Sequence, residues 1–570
     1  MKTLPLHKGS AQSNAKSVAR SFFINLGLTA LSVLLFAGAF PSLLFEHGLP
    51  LLAWIAYVPI FILLYRVSLA ASVFWGAVYG YAAYGLFNYW LAAFHPLAGI
   101  IVYSIYLVYN AALFFALRLA IILFPRRAYL VQWIIWLAYE YLRTKGFLGY
   151  PYGITGYSQW RVIPLIQIAG LCGVWGVSAL VVFPSTWLGA VWKTNNNEQI
   201  TNNKEEGIIG NERLRATLKR LPLLIITHRS LFIPLVVWAI ALVAAVCYGL
   251  ARPADYSSAP RANIALIQHN TDPWKGGIDE YRSNYVTLKR LSDQALAARP
   301  KPDMVVWSET AFVPRIYWHE TYRDDPSSWL LVKELREYLA AQDVPFVIGN
   351  DDAIKDPSKN PRERENYRVD YNAVILFNRG KNTAVYRKLH LVPFTEHFPY
   401  EKQLPPVHRA LVNADTHFWE KGTEATVFSG PGFTFSTPIC FEDTFGYLSR
   451  KFTRNGADLI VNLSNDAWSH SLPAQNQHLS MAVFRAVENG RSMVRSTASG
   501  QTCGITPDGR IIALAPPFTE AWLTVAIPIV RGDTVYTRRG DYLGVGFTIA
   551  AFLLLLLGGF AGIISVRRRP

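Results

Sequence analysis

The chain has 570 residues, of which 51% are hydrophobic by type and 16% charged, with a formal charge of +16. Much of the basic charge falls in short loops and tails beside apolar runs, where membrane topology and anionic lipid account for it, so nucleic acid is not expected as a partner. Two of the four cysteines, Cys172 and Cys247, lie in apolar runs, and no pair has metal-ligand spacing, which argues against both a disulfide framework and a metal centre.

In hydrocarbon every backbone polar group must find its partner within the chain, so a run of roughly 20 apolar residues reads as a membrane helix. Runs of this kind are expected near 22–40, 49–66, 69–93, 98–124, 128–142, 163–191, 230–250 and 543–564, about eight spans in all. The first follows Lys2, Lys8, Lys16 and Arg20 and competes with a secretory signal, but no small-residue cleavage pattern follows it and further spans come at once. Basic residues at Arg66, Arg126 and Arg127, across 193–229 and at Arg567–Arg569 alternate with the loops 41–48 and 94–97, which have none. Both termini are therefore expected in the cytoplasm, and residues 251–541 outside it; the one impure loop is 143–162. Glu140 and Arg143 are spaced to pair along a helix and read as interfacial anchors.

Three domains follow: 1–250 with seven transmembrane helices, in which 193–229 is a flexible polar cytoplasmic loop; 251–541, long enough to bury its own core; and 542–570, a last helix with a basic tail. The middle segment alternates β-rich and helical runs, which predicts an α/β layered fold. Strands are expected at 262–268, 303–307, 345–349, 371–378, 383–388, 433–439 and 457–463, and helices at 278–298, 327–341, 443–454 and 474–490. The last helix puts Leu479, Ala482, Val483, Ala486 and Val487 on one face, predicting that this face packs on a sheet.

Candidate chemistry concentrates in the same segment. Cys440 ends the run GFTFSTPIC and is expected on a sharp strand-to-helix turn, where a helix N-terminus stabilises a thiolate, although a free cysteine commonly just fills space. Glu442 and Asp443 beside it are expected to raise its pKa unless a cation compensates, and Lys388 is the candidate cation. Glu309 closes an apolar strand and is a candidate general base, with Glu396 and Glu442 as rivals. His478 and Arg485 lie on the late helix, with packing or solvent the commoner fate for each. Neither GxxxxGK[ST], HExxH nor GxSxG occurs.

The segments WSETA, YRKLHLVPFTEHFP and ICFED, followed by NLSNDAWSHSLPAQNQHLSMAVFRAVENGRSMVRSTASG, resemble the nitrilase or carbon–nitrogen hydrolase superfamily, whose Glu, Lys and Cys map onto Glu309, Lys388 and Cys440. GLFNYWLAAF at 85–94, WLAYEYLR and GYPYGITGYSQ within 136–159, ALIQHN at 265–270 and GDTVYTRRGD before the last span resemble one membrane-embedded branch, the apolipoprotein N-acyltransferases. The resemblance implies an extracytoplasmic αββα sandwich joined to a polytopic α-helical bundle in a bacterial inner membrane. It implies a two-step acyl transfer without a cofactor. Cys440 would take an acyl chain from a phospholipid, typically phosphatidylethanolamine, and pass it to the α-amine of a diacylglyceryl-cysteine lipoprotein. Glu309 would act as base, Lys388 would stabilise the oxyanion, and Glu396 and Glu442 would orient the site. Three departures from the family pattern stand at Ser308 in place of Pro, Phe441 in place of Tyr, and Ser469 in place of Phe after Trp468. Phe441 and Trp468 are thus supporting candidates, with the two departures expected to alter how the acyl chain is held. Phe312, Ile316, Tyr317, Trp318, Phe394, Phe398, Tyr400 and Trp468 are expected to form an apolar rim at the membrane interface, with ordinary core as the alternative. A membrane-tethered nitrilase-type amidase would use the same triad with water, whereas a transporter or scaffold would leave Cys440 dispensable.

Overall fold

Among the described residues, five helices are long and apolar enough to cross a membrane: Lys16–Ala39, Ala98–Leu123, Val174–Asn196, Arg229–Ala251 and Tyr542–Ala561. They belong to a computed structural model that describes residues 8–94, 96–206, 229–252, 255–356, 368–413 and 418–567. Three other expected spans are shorter or interrupted. The run at 49–66 folds as Pro50–Ala53 and Val58–Arg66, that at 69–93 as Leu69–Phe87 and Trp90–Phe94, and that at 128–142 as the 15-residue Ala128–Leu142.

The run at 163–191 is also divided. Gly173 takes a φ of 68° that a side chain would strain, so the chain turns there after the short helices Ile163–Ile166 and Ala169–Cys172. The long helix begins only at Val174 and continues to Glu206, so helix occupies the start of the segment expected to be a polar loop; the rest of that segment, 207–228, lies outside the described residues. Cys172 consequently sits in a short helix, donating to the carbonyl of Ile168, instead of in a span.

Two compact units emerge. One gathers 1–142, 178–244 and 544–570; the other gathers 143–177 and 245–543. Within the first, Leu69–Phe87 packs on Pro96–Leu123 through glycines one turn apart. A Cβ at Gly76 would strike Asn110 and Phe114, and one at Gly80 would strike Tyr106 and Asn110. Small residues let the two backbones approach closely, as membrane helices without a hydrophobic drive between them require. Tyr84 stacks on Tyr106 at 3.4 Å beside this contact.

The second unit holds two six-stranded sheets. The first is built from β1 (Arg261–Gln268), β2 (Met304–Trp307), β3 (Phe346–Lys355), β4 (Arg368–Asn378) and β5 (Lys381–Arg387), and β12 (Ala521–Pro528) closes its other edge, in the order β12-β1-β2-β3-β4-β5. The second consists of β6 (Val427–Ser429), β7 (Thr434–Ser436), β8 (Leu459–Ser464), β9 (Ser492–Thr497), β10 (Cys503–Ile505) and β11 (Ile511–Leu514), in reverse numerical order. β1, β2 and β3 run parallel, as do β7, β8 and β9. The sheets pack face to face, and Ser496 of β9 donates to the carbonyls of Ile267 and Val306 across the interface.

Helices Ile278–Ala297 and Pro326–Ala340 cover the first sheet with Leu288, Leu291, Leu331 and Leu335, against Val305, Trp307 and Ile348. Helix Leu472–Asn489 lies beside β9, and every residue from Ala474 to Asn489 is buried. Its apolar face was the legible half; the polar face is buried as well, because the 143–177 segment covers it. Tyr157 packs edge-on against Phe484, and the Val174 N–H donates to Glu488. Glu140 and Arg143, expected as interfacial anchors, are both buried, and Arg143 donates to the carbonyls of Tyr150 and Tyr152.

Candidate active site

Three strand ends bring the expected residues together. Glu309 lies just beyond β2, Lys388 follows β5 directly, and Cys440 follows β7 through Thr437, Pro438 and Ile439. Two antiparallel steps from β3 give β5 the direction of β2, so Glu309 and Lys388 share the carboxyl-end edge of one sheet. That edge is where α/β sheets collect reactive side chains.

Lys388 is fully buried, its Nζ 2.8 Å from Glu396 Oε1 and 3.4 Å from Glu309 Oε1. Burial alone would push its pKa down, but Glu396, Glu309 and the Cys440 sulfur outweigh burial and lift it above the ordinary lysine value, so the ammonium is permanent. Glu396 is anchored by the Val392 N–H at 2.8 Å. Glu309 accepts from the Asn372 side chain at 2.9 Å on one oxygen and from the Asn465 N–H at 3.0 Å on the other. Asn372 and Asn465 are site residues that sequence reasoning missed. Asn372 had a visible signal, a polar side chain directly before the apolar run AVILF of its strand.

Cys440 stands at φ +49°, in the left-handed region, at the first residue of a 3₁₀ turn running Cys440–Thr444. Thr310 next to Glu309, Phe394 next to the Glu396 turn and His470 also take positive φ, so strain gathers on the loops of the site. Burial pushes the Cys440 thiol well above its usual value and Glu309 adds to this, as does Asp466, while Lys388 and the nearby Ser464 pull it down. Burial and the neighbouring carboxylates thus oppose the thiolate that a helix N-terminus would favour. Glu442 does not crowd it. Its carboxylate turns away and accepts from the N–H groups of Leu389, His390 and Ile439 at 2.7, 2.9 and 2.8 Å and from the Tyr386 hydroxyl. Glu442 thus ties the Lys388 loop to the Cys440 turn.

Asp443 forms an ion pair with Arg495 and lies 2.6 Å from His478 Nε2. Asp466 lies 3.0 Å from His478 Nδ1 and 3.3 Å from Arg495. Burial would lower the His478 pKa, but the two carboxylates outweigh it and raise it to about 9. A raised histidine contributes stability that is complete below its ordinary value of 6.5 and is lost as pH rises through about 9, on the order of 3 kcal/mol for this buried group. Thermal unfolding of the detergent-solubilised chain is expected to show a falling midpoint from pH 6.5 to 9. His478→Gln, which has forfeited this contribution at every pH in the window, is expected to show a shallower fall. Parallel slopes would contradict the assignment.

The expected apolar rim divides. Phe312 and Ile316 belong to the core under the first sheet and Trp318 is buried, whereas Tyr317 is exposed and Trp468 half-buried. Phe394, Phe398 and Tyr400 gather edge-on around Phe147 at 5.2–6.3 Å. Phe441 stacks on Tyr150 and meets Phe445 edge-on. Ser469 is buried, its hydroxyl donating to the Asp466 carbonyl. His478 and Arg485, for which packing or solvent was the commoner expectation, are both buried in polar networks; Arg485 donates to the carbonyl of Thr444 at the end of the Cys440 turn and to Tyr157. Among the described residues no cluster of His, Cys, Asp or Glu is placed to hold a metal.

Comparison with known proteins agrees along both units. Residues 263–535 match the carbon–nitrogen hydrolase family, and residues 32–187 match the apolipoprotein N-acyltransferase N-terminal domain. Apolipoprotein N-acyltransferase 1 of Treponema denticola is 43% identical over 94% of this chain and 96% of its own length. The Treponema pallidum protein of the same name is 46% identical over 95% and 96%, and the Borreliella burgdorferi apolipoprotein N-acyltransferase 28% identical over 93% and 95%. With both domains matched and near-full-length relatives above 40% identity, the chain belongs to the apolipoprotein N-acyltransferase family.

Proposed function

We propose that this enzyme moves an acyl chain from a membrane phospholipid, phosphatidylethanolamine by preference, onto the α-amine of a diacylglyceryl-cysteine at a lipoprotein's N-terminus, through a thioester on Cys440. The observation that carries the reading is the buried ammonium of Lys388 held between Glu309 and Glu396, at strand ends that also bring up Cys440. Glu309 takes the thiol proton as sulfur attacks the ester carbonyl, and Lys388 faces the oxyanion of the tetrahedral intermediate. Collapse breaks the ester C–O bond, and the departing lysophospholipid oxygen recovers the proton from Glu309. In the second half the acceptor amine attacks the thioester, Glu309 takes a proton from it, and the C–S bond breaks to return Cys440. Glu396 and Glu442 act as positioning residues, one on Lys388 and the other on the loops that carry Lys388 and Cys440.

A lipid substrate is supported by the aromatic cluster of Phe147, Phe394, Phe398 and Tyr400, of which Tyr400 is exposed. We place the enzyme in a bacterial inner membrane as a multi-pass protein of eight spans, counting the shorter apolar helices, with residues 251–541 on the periplasmic side. The alternation of basic and neutral loops supports that orientation. Mass analysis of the enzyme incubated with phosphatidylethanolamine tests the chemistry. A hydroxylamine-labile acyl adduct on the Cys440 peptide, discharged by a diacylated lipopeptide, is the expected result. An adduct on another residue, or none, would sink the thioester route, and discharge by water alone would favour an amidase-like hydrolase.

A further inference from the structure

The cluster of His478, Arg495, Asp443 and Asp466 is left without a role by the reaction steps above, yet it sits directly under the nucleophile. Asp443 belongs to the Cys440 turn, Asp466 to the loop after β8, Arg495 to β9 and His478 to helix Leu472–Asn489. All four are buried. A neutral imidazole has one N–H, but here each ring nitrogen faces a carboxylate oxygen, at 2.6 and 3.0 Å. Each of these carboxylates also pairs with Arg495, so both ring nitrogens donate, His478 is the imidazolium, and the cluster is two cations against two anions, neutral overall. Unpaired charge would be prohibitive at this depth.

Two connections run from this cluster to the reacting groups. The loop that begins at Asn465 presents its N–H to Glu309 Oε2, so the residue directly before Asp466 supplies a donor that orients the base. Ser464, at the end of β8, donates its single hydroxyl proton to Asp466 Oδ1 at 2.9 Å. The bridge between Ile439 and Leu463 lays this strand end beside Cys440, and Ser464 is among the groups that draw the Cys440 pKa down. Asp466 retains donors from His478 and Arg495 when Ser464 turns away, so the serine proton is free to move to a sulfur that has just become negative.

We propose that Ser464 is the hydrogen-bond donor to the Cys440 thiolate, and that His478 with Arg495 are positioning residues that hold Asp466 so that Ser464 can switch between them. The inference rests on Cys440 being the acylated residue. No bond is made or broken in the switch, only the O–H direction changes. The groups facing the imidazole are Asp443, Asp466 and Arg495, with Tyr152, Cys440 and Cys503 around them.

The test uses the full-length enzyme in detergent or nanodiscs and reads two quantities at the Cys440 peptide by mass: the rate of acylation by phosphatidylethanolamine and the pH dependence of alkylation by iodoacetamide. Ser464→Ala, a small change that leaves the cluster intact, is expected to slow acylation on the order of tenfold and to displace the alkylation profile upward by about one pH unit, with the phospholipid KM unchanged. His478→Gln is expected to move both in the same direction and further. A Ser464→Ala profile that superimposes on the wild type overturns the proposal, as does a His478→Gln enzyme with lowered thermal midpoint and turnover but an unmoved alkylation profile. Should His478→Gln not fold, Ser464→Ala alone decides. Absence of any Cys440 adduct in the wild-type arm overturns the thioester reading itself, whereas a wild-type adduct with unaltered variants overturns only this inference.

Discussion

Replacing Cys440 with alanine is expected to leave a folded, membrane-inserted protein whose acyl transfer has fallen by roughly 10⁴ to 10⁶. Folding survives because the substitution removes one sulfur from a partly exposed side chain and leaves the strained backbone with another L-residue. The turn is held by groups other than the thiol: Glu442 grips the Ile439 N–H, Asn462 the Pro438 carbonyl, and Arg485 the Thr444 carbonyl. Turnover collapses because neither neighbouring group can replace the thiol: Ser464 offers only a weakly acidic hydroxyl, and Cys503 is buried with its thiol pushed up to about 12. Cys440→Ser is expected to fall in the same range, since a hydroxyl is a far weaker acid than a thiol and Glu309 is a carboxylate base. Transfer of acyl chain from phosphatidylethanolamine to a diacylated lipopeptide, followed by mass, measures the loss. Turnover within tenfold of the wild type would remove Cys440 from the reaction.

What could be read from the sequence and what could not divide along physical lines. β1 to β5, β7 and β8 announce themselves as short β-rich runs, and Glu309, Lys388 and Cys440 follow such runs directly, so the strands and the placement of these three residues at strand ends are legible. β9 is not, because Ser492–Thr497 reads SMVRST and looks solvated. Its Arg495 is buried only because Asp443 and Asp466, distant in sequence, neutralise it. Helix Leu472–Asn489 shows the same limit. Its apolar stripe is visible, but the burial of Gln477, Arg485 and Glu488 depends on a cover from residues 143–177, which pattern alone divides between the loop 143–162 and a membrane span at 163–191. Glu442 shows a third limit. Adjacency in sequence suggested an acid beside the thiol, whereas the positive φ at Cys440 sends the chain round so that Glu442 faces backbone N–H groups.

Lys388→Met carries the other large expectation, because it removes charge from two places at once. The side chain has no exposure, and its ammonium is the cation between Glu309 and Glu396. Deleting one partner of a buried ionic group typically destabilises by about 3–5 kcal/mol, since the carboxylates left behind are neither solvated nor paired. That loss should depend on pH in a definite direction. Burial already raises the Glu396 carboxyl and Lys388 pulls it back down; without Lys388 it climbs further and takes a proton. A raised carboxyl favours the fold at low pH and loses that contribution as pH rises, so the variant should approach wild-type stability near pH 5 and fall well below it near pH 8. Catalysis should not recover in the same way. An oxyanion left without its cation costs about 10²–10³ in rate or more, at every pH. Glu396→Gln added to Lys388→Met separates the two effects: the double variant is expected to regain most of the thermal midpoint at pH 8 while acylation of Cys440 stays at the single-variant level. Acylation that returned together with stability would make Lys388 a structural ion-pair member and assign the oxyanion to another donor.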